Sequence, residues 1–177
     1  MRKLVLQLGM SLDGIMAGPR RVTAPHDDEV DRWKIEALRD AGAHLMGRTT
    51  YLEMAAHWPT ATSDYAAPMN DIPKVVFSKT LDQADWPESR IARGDLTDEI
   101  AALKQEPGGD LIAHGGPTFA QELSRRCLVD LYRLVVLPGV LGAGSPLFAD
   151  LPDAIDLELL ALKRFPSGAV GLVYQPR

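Results

Sequence analysis

The chain has 177 residues, of which 46% are hydrophobic and 24% are charged, a balance typical of a globular protein. This length fits one domain, residues 1–177, with enough chain to bury a core. The formal net charge of −5 argues against a nucleic-acid partner or an anionic membrane surface, because both favour a basic face.

The N-terminal segment predicts a strand and a cytoplasmic protein. The opening apolar run, Leu4 to Leu8, is short, is interrupted by Gln7 and is soon followed by Asp13, which argues against a signal peptide. Elsewhere no apolar stretch approaches the roughly 20 residues that a membrane helix needs. We therefore expect no membrane partner.

Apolar stripes at helical spacing predict three helices. The first stripe stops before Gly42, which suits a left-handed C-terminal cap, while Asp95 and Pro117 suit the first positions of the other two helices. Cys127 is the only cysteine, and its place in the third stripe predicts a small buried apolar residue. The stripes are Val30, Trp33, Ala37 and Ala41; Leu96, Ile100 and Leu103; and Phe119, Leu123 and Cys127.

Strands are predicted in two groups. The earlier apolar runs alternate with helices, which is typical of parallel strands buried on both faces. The later runs have no helices between them, which predicts an antiparallel end to the sheet. The predicted strands are residues 3–8, 43–46, 74–78, 110–114, 130–137, 157–163 and 169–174.

Three corners that follow successive strands have groups suited to phosphates. They are Gly47-Arg48-Thr49-Thr50, Ser78-Lys79-Thr80 and Gly115-Gly116-Pro117-Thr118. The carboxyl ends of parallel strands meet at one edge of a sheet, so the corners are expected to converge. Glycines admit a ligand close to the backbone, helix N-termini favour anions, and Arg48 and Lys79 add positive charge. A dinucleotide with a pyrophosphate and a 2′-phosphate needs such a set of groups, but the spacing alone predicts only an anion-binding α/β domain.

Other standard site signatures are missing from the sequence. No GxGxxG or GxxxxGK[ST] motif follows a predicted strand. Residues 139–144 are glycine-rich, but they precede Ser145 and Pro146 rather than a helix, so they are predicted to form a loop. The four histidines lack metal-ligand spacing with cysteine or carboxylate, and no metal site is predicted.

At these corners the sequence resembles the dihydrofolate reductase superfamily, and in particular the branch of the reductase (RibD C-terminal) domain of the bifunctional riboflavin-biosynthesis deaminase–reductase. The resemblance implies a three-layer α/β fold, with helices on both faces of a mixed, mostly parallel sheet and an antiparallel C-terminal portion. The matching motifs are residues 11–14 (SLDG), 46–51 (MGRTTY), 76–79 (VFSK), 115–119 (GGPTF) and 137–148.

The resemblance also implies an NADPH-dependent reductase, often a homodimer. Four groups of residues would contact the cofactor. Gly47, Arg48, Thr49 and Thr50 would hold the pyrophosphate and the 2′-phosphate, and Ser78 and Lys79 would lie against the adenosine end. Gly115, Gly116, Pro117 and Thr118 would lie under the pyrophosphate and the nicotinamide ribose. Met16 and Ala17 would meet the nicotinamide carboxamide.

Two carboxylates are candidates for the catalytic acid. Asp31 lies sixteen residues before Gly47, near the offset of the acid in folate reductases, although the acidic residues nearby favour a position facing water. Arg32 and Trp33 follow it instead of the usual Trp-Phe pair, which argues against folate as the substrate. Asp13 either organises its loop or acts on substrate. The proton donor is therefore Asp13, Asp31 or ordered water.

Three functions are compatible with the sequence. The first is an NADPH-dependent reductase that transfers a hydride to a pterin-like, pyrimidine-like or other heterocyclic or carbonyl substrate. The second is the riboflavin-pathway reductase of a 5-amino-6-(ribosylamino)uracil-type substrate, without the deaminase, because the zinc motif of deaminases is missing. The third is a non-catalytic nucleotide-binding module on the same fold.

Overall fold

Strands and helices alternate through the first two thirds of the chain in the computed structural model, which describes residues 1–22 and 25–177. No helix within these ranges is long and apolar enough to cross a bilayer. The strands are β1 (Leu4–Ser11), β2 (Ile15–Ala17), β3 (Ala41–Gly47), β4 (Lys74–Phe77), β5 (Ser89–Ala92), β6 (Asp110–His114), β7 (Leu131–Leu137), β8 (Ser145–Pro146), β9 (Leu157–Arg164) and β10 (Val170–Pro176). The α-helices are α1 (Asp28–Glu36), α2 (Arg48–His57), α3 (Ala66–Asp71), α4 (Leu96–Gln105) and α5 (Pro117–Arg125).

The main sheet of the described chain has eight strands in the order β5-β4-β3-β6-β1-β7-β10-β9. The pairings from β5 to β7 are all parallel. Strand β10 is antiparallel to both of its neighbours, so it alone runs against the other seven. Strands β2 and β8 form a separate antiparallel pair. This mixed, mostly parallel sheet with an antiparallel C-terminal portion confirms the predicted fold class.

Helices cover both faces of the sheet because the side chains of each strand point alternately to either side. On one face Leu6 and Leu45 are buried in the same cluster as Ile100 of α4 and Leu123 of α5. On the other face Val5, Met46 and Ile112 cluster with Tyr51 of α2 and Met69 of α3. The result is the three-layer arrangement that the resemblance implies.

Helix α1 covers the strands at the antiparallel end. Its residues Val30 and Trp33 form a third buried cluster with Val135, Phe165 and Ala169. The start of the helix is also tied to this region, because the carboxylate of its N-cap, Asp27, accepts hydrogen bonds from the N–H groups of Glu29 and Ser167.

The predicted cap at Gly42 is wrong. Helix α1 ends at Glu36, its C-cap Ala37 has a right-handed φ of −68°, and Gly42 lies within β3. A Cβ atom on Gly42 would stand 2.7 Å from the carbonyl oxygen of Gly109. Glycine at this position therefore permits the close approach of two backbones rather than the end of a helix.

The predicted burial of Cys127 is also wrong, since its side chain is exposed. Helix α5 stops two residues earlier, and Cys127 adopts a left-handed φ of 52°. The N–H groups of Cys127 and Leu128 donate to the carbonyls of Ser124 and Leu123, both at 3.0 Å. This pair of bonds is the Schellman motif, which ends a helix and turns the residue after the C-cap outward.

One lysine is enclosed in the core. Lys74 at the start of β4 has no exposed surface. Its ammonium donates to the carbonyls of Asn70 and Pro87 and lies 4.6 Å from the centroid of the Trp86 ring. Burial lowers the pKa of Lys74, and the carbonyls and the ring compensate its charge.

Candidate active site

A cleft of about 980 Å³ lies along the carboxyl ends of the parallel strands. The turns after β3, β4 and β6 contribute to its walls, together with β2 and the start of α4. The structure brings all twelve residues selected from the sequence for cofactor contact to this one cleft. They are Met16, Ala17, Gly47, Arg48, Thr49, Thr50, Ser78, Lys79, Gly115, Gly116, Pro117 and Thr118.

The corner between β3 and α2 presents a free helix N-terminus. Gly47 is the N-cap residue, its backbone is extended, and it has no side chain to cap the helix. The first turn of α2 contains no acidic residue. Its N–H groups and the charge of Arg48 therefore favour an anion at this end of the cleft. The Arg48 guanidinium also donates to the hydroxyl of Thr80 on the next corner at 3.4 Å.

The corner between β6 and α5 presents a second free helix N-terminus. Gly116 is the N-cap with φ 118°, and Pro117 occupies the first turn as predicted. A Cβ atom on Gly116 would lie 2.5 Å from the hydroxyl oxygen of Thr50. That hydroxyl donates to the carbonyl of Gly115 at 2.7 Å. Thr50 thus fastens the two helix starts to each other and keeps the glycine turn open toward the cleft.

The turn after β4 supplies the remaining predicted cation. The Ser78 hydroxyl oxygen accepts the N–H groups of Thr80 at 3.2 Å and Leu81 at 2.9 Å. Ser78, Lys79 and Thr80 all line the cleft. Because Arg48 contacts Thr80, the two cations Arg48 and Lys79 belong to neighbouring parts of one rim.

Charged residues that were not selected from the sequence complete the rim. Arg126 lies 3.1 Å from the carboxylate of Asp95 and 3.2 Å from that of Glu122, and all three line the cleft. Arg21 lines it as well. Arg21 lies in a loop, Asp95 at the start of α4, and Glu122 and Arg126 at the end of α5. No sequence motif marks these positions, so only the tertiary structure places them at the cleft. An apolar wall is formed by Phe77 and Phe119, whose ring centroids are 5.2 Å apart.

Asp13 faces another loop rather than the described lining of the cleft. Its carboxylate accepts hydrogen bonds from the Ser11 hydroxyl at 2.6 Å and from the N–H groups of Leu141 and Gly142 at 3.1 and 2.7 Å. The Ser11 bond, with the two N–H bonds, lowers the pKa of Asp13 to about 2. The carboxylate is therefore ionised at neutral pH, and it connects the loop between β1 and β2 to the glycine-rich loop of residues 139–144. Of the two predicted roles, this geometry favours loop organisation.

Asp31 lies on α1 and, like Asp13, outside the described lining of the cleft. Its side chain is 39% exposed, and one carboxylate oxygen lies 3.9 Å from Nδ1 of His26. Burial, with the negative charge of Asp31, raises the pKa of Tyr65. The carboxylate therefore acts electrostatically on the segment before α3, and neither candidate acid lines the cleft.

Two of the four histidines belong to the interior. His44 and His114 are buried, with ring centroids 4.8 Å apart. In residues 1–22 and 25–177, no three His, Cys, Asp or Glu side chains are grouped to hold a metal ion. Gly115, which begins the glycine corner, is therefore the next residue in the chain after a histidine that is packed in the core.

Comparison with known proteins gives a consistent assignment. The profile of the RibD C-terminal domain matches residues 2–170. The uncharacterized protein YyaP of Bacillus subtilis strain 168 is 28% identical to this chain over 178 residues, and the alignment covers 98% of this chain and 94% of YyaP. A protein from Shewanella sp. PV-4 whose name refers to riboflavin biosynthesis has a TM-score of 0.80 at 22% identity, with 99% of both chains covered. Dihydrofolate reductase from Enterococcus faecalis, complexed with NADP(H), has a TM-score of 0.68 at 15% identity, covering 99% of this chain and 96% of its own. The two structural matches show a shared fold.

Proposed function

The chain belongs to the RibD C-terminal domain family, and on this premise we propose that it is a single-domain reductase, residues 1–177, that uses NADPH to reduce a small heterocyclic or carbonyl substrate. The observation that supports the proposal most is the convergence of three strand-end corners on one cleft. Two of these corners are helix N-termini without side-chain caps, and two neighbouring corners contribute Arg48 and Lys79.

The residues around the cleft fit a phosphorylated dinucleotide. The volume of about 980 Å³ lies within the range of sites that enclose small ligands. In the proposal, Gly47 to Thr50 bind the pyrophosphate and the 2′-phosphate, and Ser78 and Lys79 face the adenosine end. The turn from Gly115 to Thr118 lies under the pyrophosphate and the nicotinamide ribose, and Met16 and Ala17 meet the carboxamide. A Cβ atom would crowd the cradle at Gly116, which is why a backbone without a side chain suits this corner.

The protein orients the cofactor and excludes water from the site, while a bound nicotinamide would supply the hydride. Asp13 holds the loop before β2 against the glycine-rich loop, and β2 pairs with β8 beside it. These contacts keep Met16 and Ala17 along the cleft. Because neither Asp13 nor Asp31 is in the described lining of the cleft and the lowered pKa keeps Asp13 ionised, ordered water is the better source of the proton in this proposal.

A second candidate, the riboflavin-pathway reductase of a ribosylated aminopyrimidine, is favoured by one specific residue. A phosphate on such a substrate needs a cation in addition to those that bind the cofactor. Arg21 lines the same cleft and supplies one. This candidate is distinguished by turnover of that substrate, and a non-catalytic nucleotide-binding module by binding without turnover.

We also propose that the protein is a cytoplasmic homodimer, without a nucleic-acid or membrane partner, consistent with its net charge of −5. Strand β9 lies at the edge of the main sheet, and all but its first residue are exposed. Leu159, Leu160 and Leu162 are 48%, 50% and 57% exposed. An exposed apolar edge strand is a pairing surface, and a second copy of the same edge would cover it.

A thermal-shift series tests the proposed function. NADPH, NADP and NADH are compared first, and pteridines, folates and riboflavin precursors are then added with NADP present. A ligand at about 100 times its Kd stabilises the folded state by about 2.7 kcal/mol, so a bound dinucleotide must raise the Tm. Loss of NADPH absorbance with a substrate that raises the Tm further would demonstrate turnover. The absence of a shift with every dinucleotide would contradict the proposal.

A further inference from the structure

A single arginine braces the turn that follows β4. Arg93 comes directly after β5, and one guanidinium nitrogen lies 2.6 Å from the carbonyl oxygen of Leu81 and 3.5 Å from that of Asp82. Its other terminal nitrogen lies 3.5 Å from the carbonyl oxygen of Lys79. The planar guanidinium thus contacts three carbonyls of one short turn.

The same turn forms part of the cleft on its other side. Ser78, Lys79 and Thr80 line the cleft, whereas Arg93 does not, although its chain neighbours Ala92 and Gly94 do. The carbonyls of the turn therefore face Arg93 while its polar side chains face the cleft. Arg93 acts on any ligand there through the turn and not by contact.

Other contacts hold the two ends of this turn, where the Ser78 N–H donates to the carbonyl of Ala92 at 3.2 Å and Leu81 packs against the core. Fewer contacts orient Lys79 and Thr80 between them. The Ser78 hydroxyl accepts two N–H groups within the turn, and the Arg48 guanidinium reaches Thr80 only at 3.4 Å. Lys79 is exposed, and its long side chain loses much conformational freedom when it binds a ligand. A fixed backbone reduces this entropic cost of binding. Without Arg93, the larger loss of conformational entropy would weaken the contact between Lys79 and the ligand.

We infer that Arg93 is a positioning residue that sets the preference of this cleft for a 2′-phosphorylated dinucleotide over an unphosphorylated one. The inference rests on the proposed function, in which Lys79 faces the adenosine end of the cofactor. The 2′-phosphate assigned to the Arg48 corner belongs to this adenosine end, and Arg48 contacts Thr80 beside Lys79, so Lys79 adds a second cation near that phosphate. A displaced turn would remove this cation and weaken NADPH binding selectively. A lysine at position 93 cannot replace the brace, because one ammonium does not span three carbonyls as a guanidinium does.

The test measures Kd for NADPH and for NADH in the full chain by fluorescence titration. The variants are Arg93→Met and Arg93→Lys. The matched control is Arg90→Met, on the same strand, because Arg90 pairs with Glu106 at 3.3 Å and does not line the cleft. The Tm of each variant is recorded so that loss of fold is recognised.

Both Arg93 variants are expected to weaken NADPH binding about tenfold, the equivalent of about 1.4 kcal/mol, and NADH binding less than about twofold. Arg90→Met is expected to leave the ratio of the two Kd values unchanged. An unchanged ratio in Arg93→Met overturns the inference, and so does full affinity in Arg93→Lys, since charge alone would then suffice. If the wild-type chain binds neither dinucleotide, the proposed function fails first; if it binds both and the Arg93 variants keep the ratio, only this inference fails.

Discussion

Nε2 of His114 lies 2.8 Å from Nδ1 of His44 in the interior of the protein. Nε2 of His44 lies 3.0 Å from the carbonyl oxygen of Pro68, which can only accept, so this nitrogen carries the hydrogen. Nδ1 of His44 is then an acceptor, and His114 donates to it. One carbonyl therefore sets the hydrogen positions of both rings, and their lowered pKa values keep both rings neutral at neutral pH.

The histidine pair makes stability depend on pH. Burial lowers the pKa of His44 to about 4, with the charge of Lys74 adding to the effect, and burial beside His44 lowers that of His114 to about 3. Below the unfolded value of about 6.5 the unfolded chain binds protons that the folded chain does not, so stability present at neutral pH is lost as the pH falls. At about pH 5 we expect a slope of about 1.4 kcal/mol per pH unit for each histidine.

Urea unfolding between about pH 7 and pH 5 measures this slope, above the range in which Asp13 and similar carboxylates contribute. The double variant His44→Leu and His114→Leu should flatten the curve. Replacement of the exposed His57 by glutamine should leave it unchanged. A wild-type curve that is flat over this interval would show that the pair does not control the pH dependence.

Arg48→Ala is expected to weaken NADPH binding by about a hundredfold or more. If Arg48 makes two charge-assisted hydrogen bonds to phosphate, each contributes about 1.5–3 kcal/mol, and about 1.4 kcal/mol corresponds to tenfold in affinity. Binding of NADH should suffer less if the contact is to the 2′-phosphate. Titration of both cofactors measures the effect, with the exposed Arg39→Ala as the control. Equal and small losses for both cofactors would remove Arg48 from the site.

Gly116→Ala is expected to destabilise the fold by about 2 kcal/mol, because φ 118° is strained for any residue with a Cβ atom and the new atom would meet the Thr50 hydroxyl. Urea denaturation gives the change in the free energy of unfolding. Gly115→Ala is the control, since its Cβ atom would lie at an ordinary 3.6 Å from Leu8. Similar losses in the two variants would disprove a specific need for glycine at position 116.

Cys127→Gly is expected to stabilise the protein by about 0.5–1 kcal/mol. Cys127 has a left-handed φ of 52° at the end of α5, where glycine avoids the Cβ strain. Thermal and urea unfolding under reducing conditions measure the gain. Cys127→Ala keeps the Cβ atom and should show none, so an equal gain in both variants would point to the thiol instead.

The edge strand β9 provides a test of the proposed dimer. Leu160→Lys combined with Leu162→Lys places two charges on its exposed surface, which should prevent a second copy from pairing there. Sedimentation velocity should then change from a dimer to a monomer of 19.3 kDa. The exposed Leu52→Lys on α2 serves as the control. A monomeric wild-type protein, or a double variant that is still dimeric, would rule out this interface.

The parallel part of the fold could be predicted because strands such as β3 and β6 are apolar on both faces. Other elements lack such a signal. Strand β5 has only four residues, of which the first two are polar, and α3 contains Pro68. Strands β2 and β8 exist only because Ile15 and Pro146, distant in sequence, are paired. Pairing of this kind depends on tertiary structure.

The residues of the cleft also divide into those that could be predicted from the sequence and those that could not. Its glycine and cation corners could be predicted because each is local to the end of one strand. Arg126 could not, because it reaches the cleft from the end of a helix and is held there by Asp95 and Glu122. The orientations of Asp13 and Asp31 also depend on distant partners, such as the N–H of Gly142 for Asp13.

The enclosure of Lys74 gives the molecule an internal reporter of its own opening. Its amine is shielded by two carbonyls and an indole ring, so a water-soluble acylating reagent reaches it only in chains that have opened at β4. Surface amines react at once, whereas the rate of modification at this position, followed by peptide mass spectrometry, reports how often the edge of the sheet beneath the cleft comes apart.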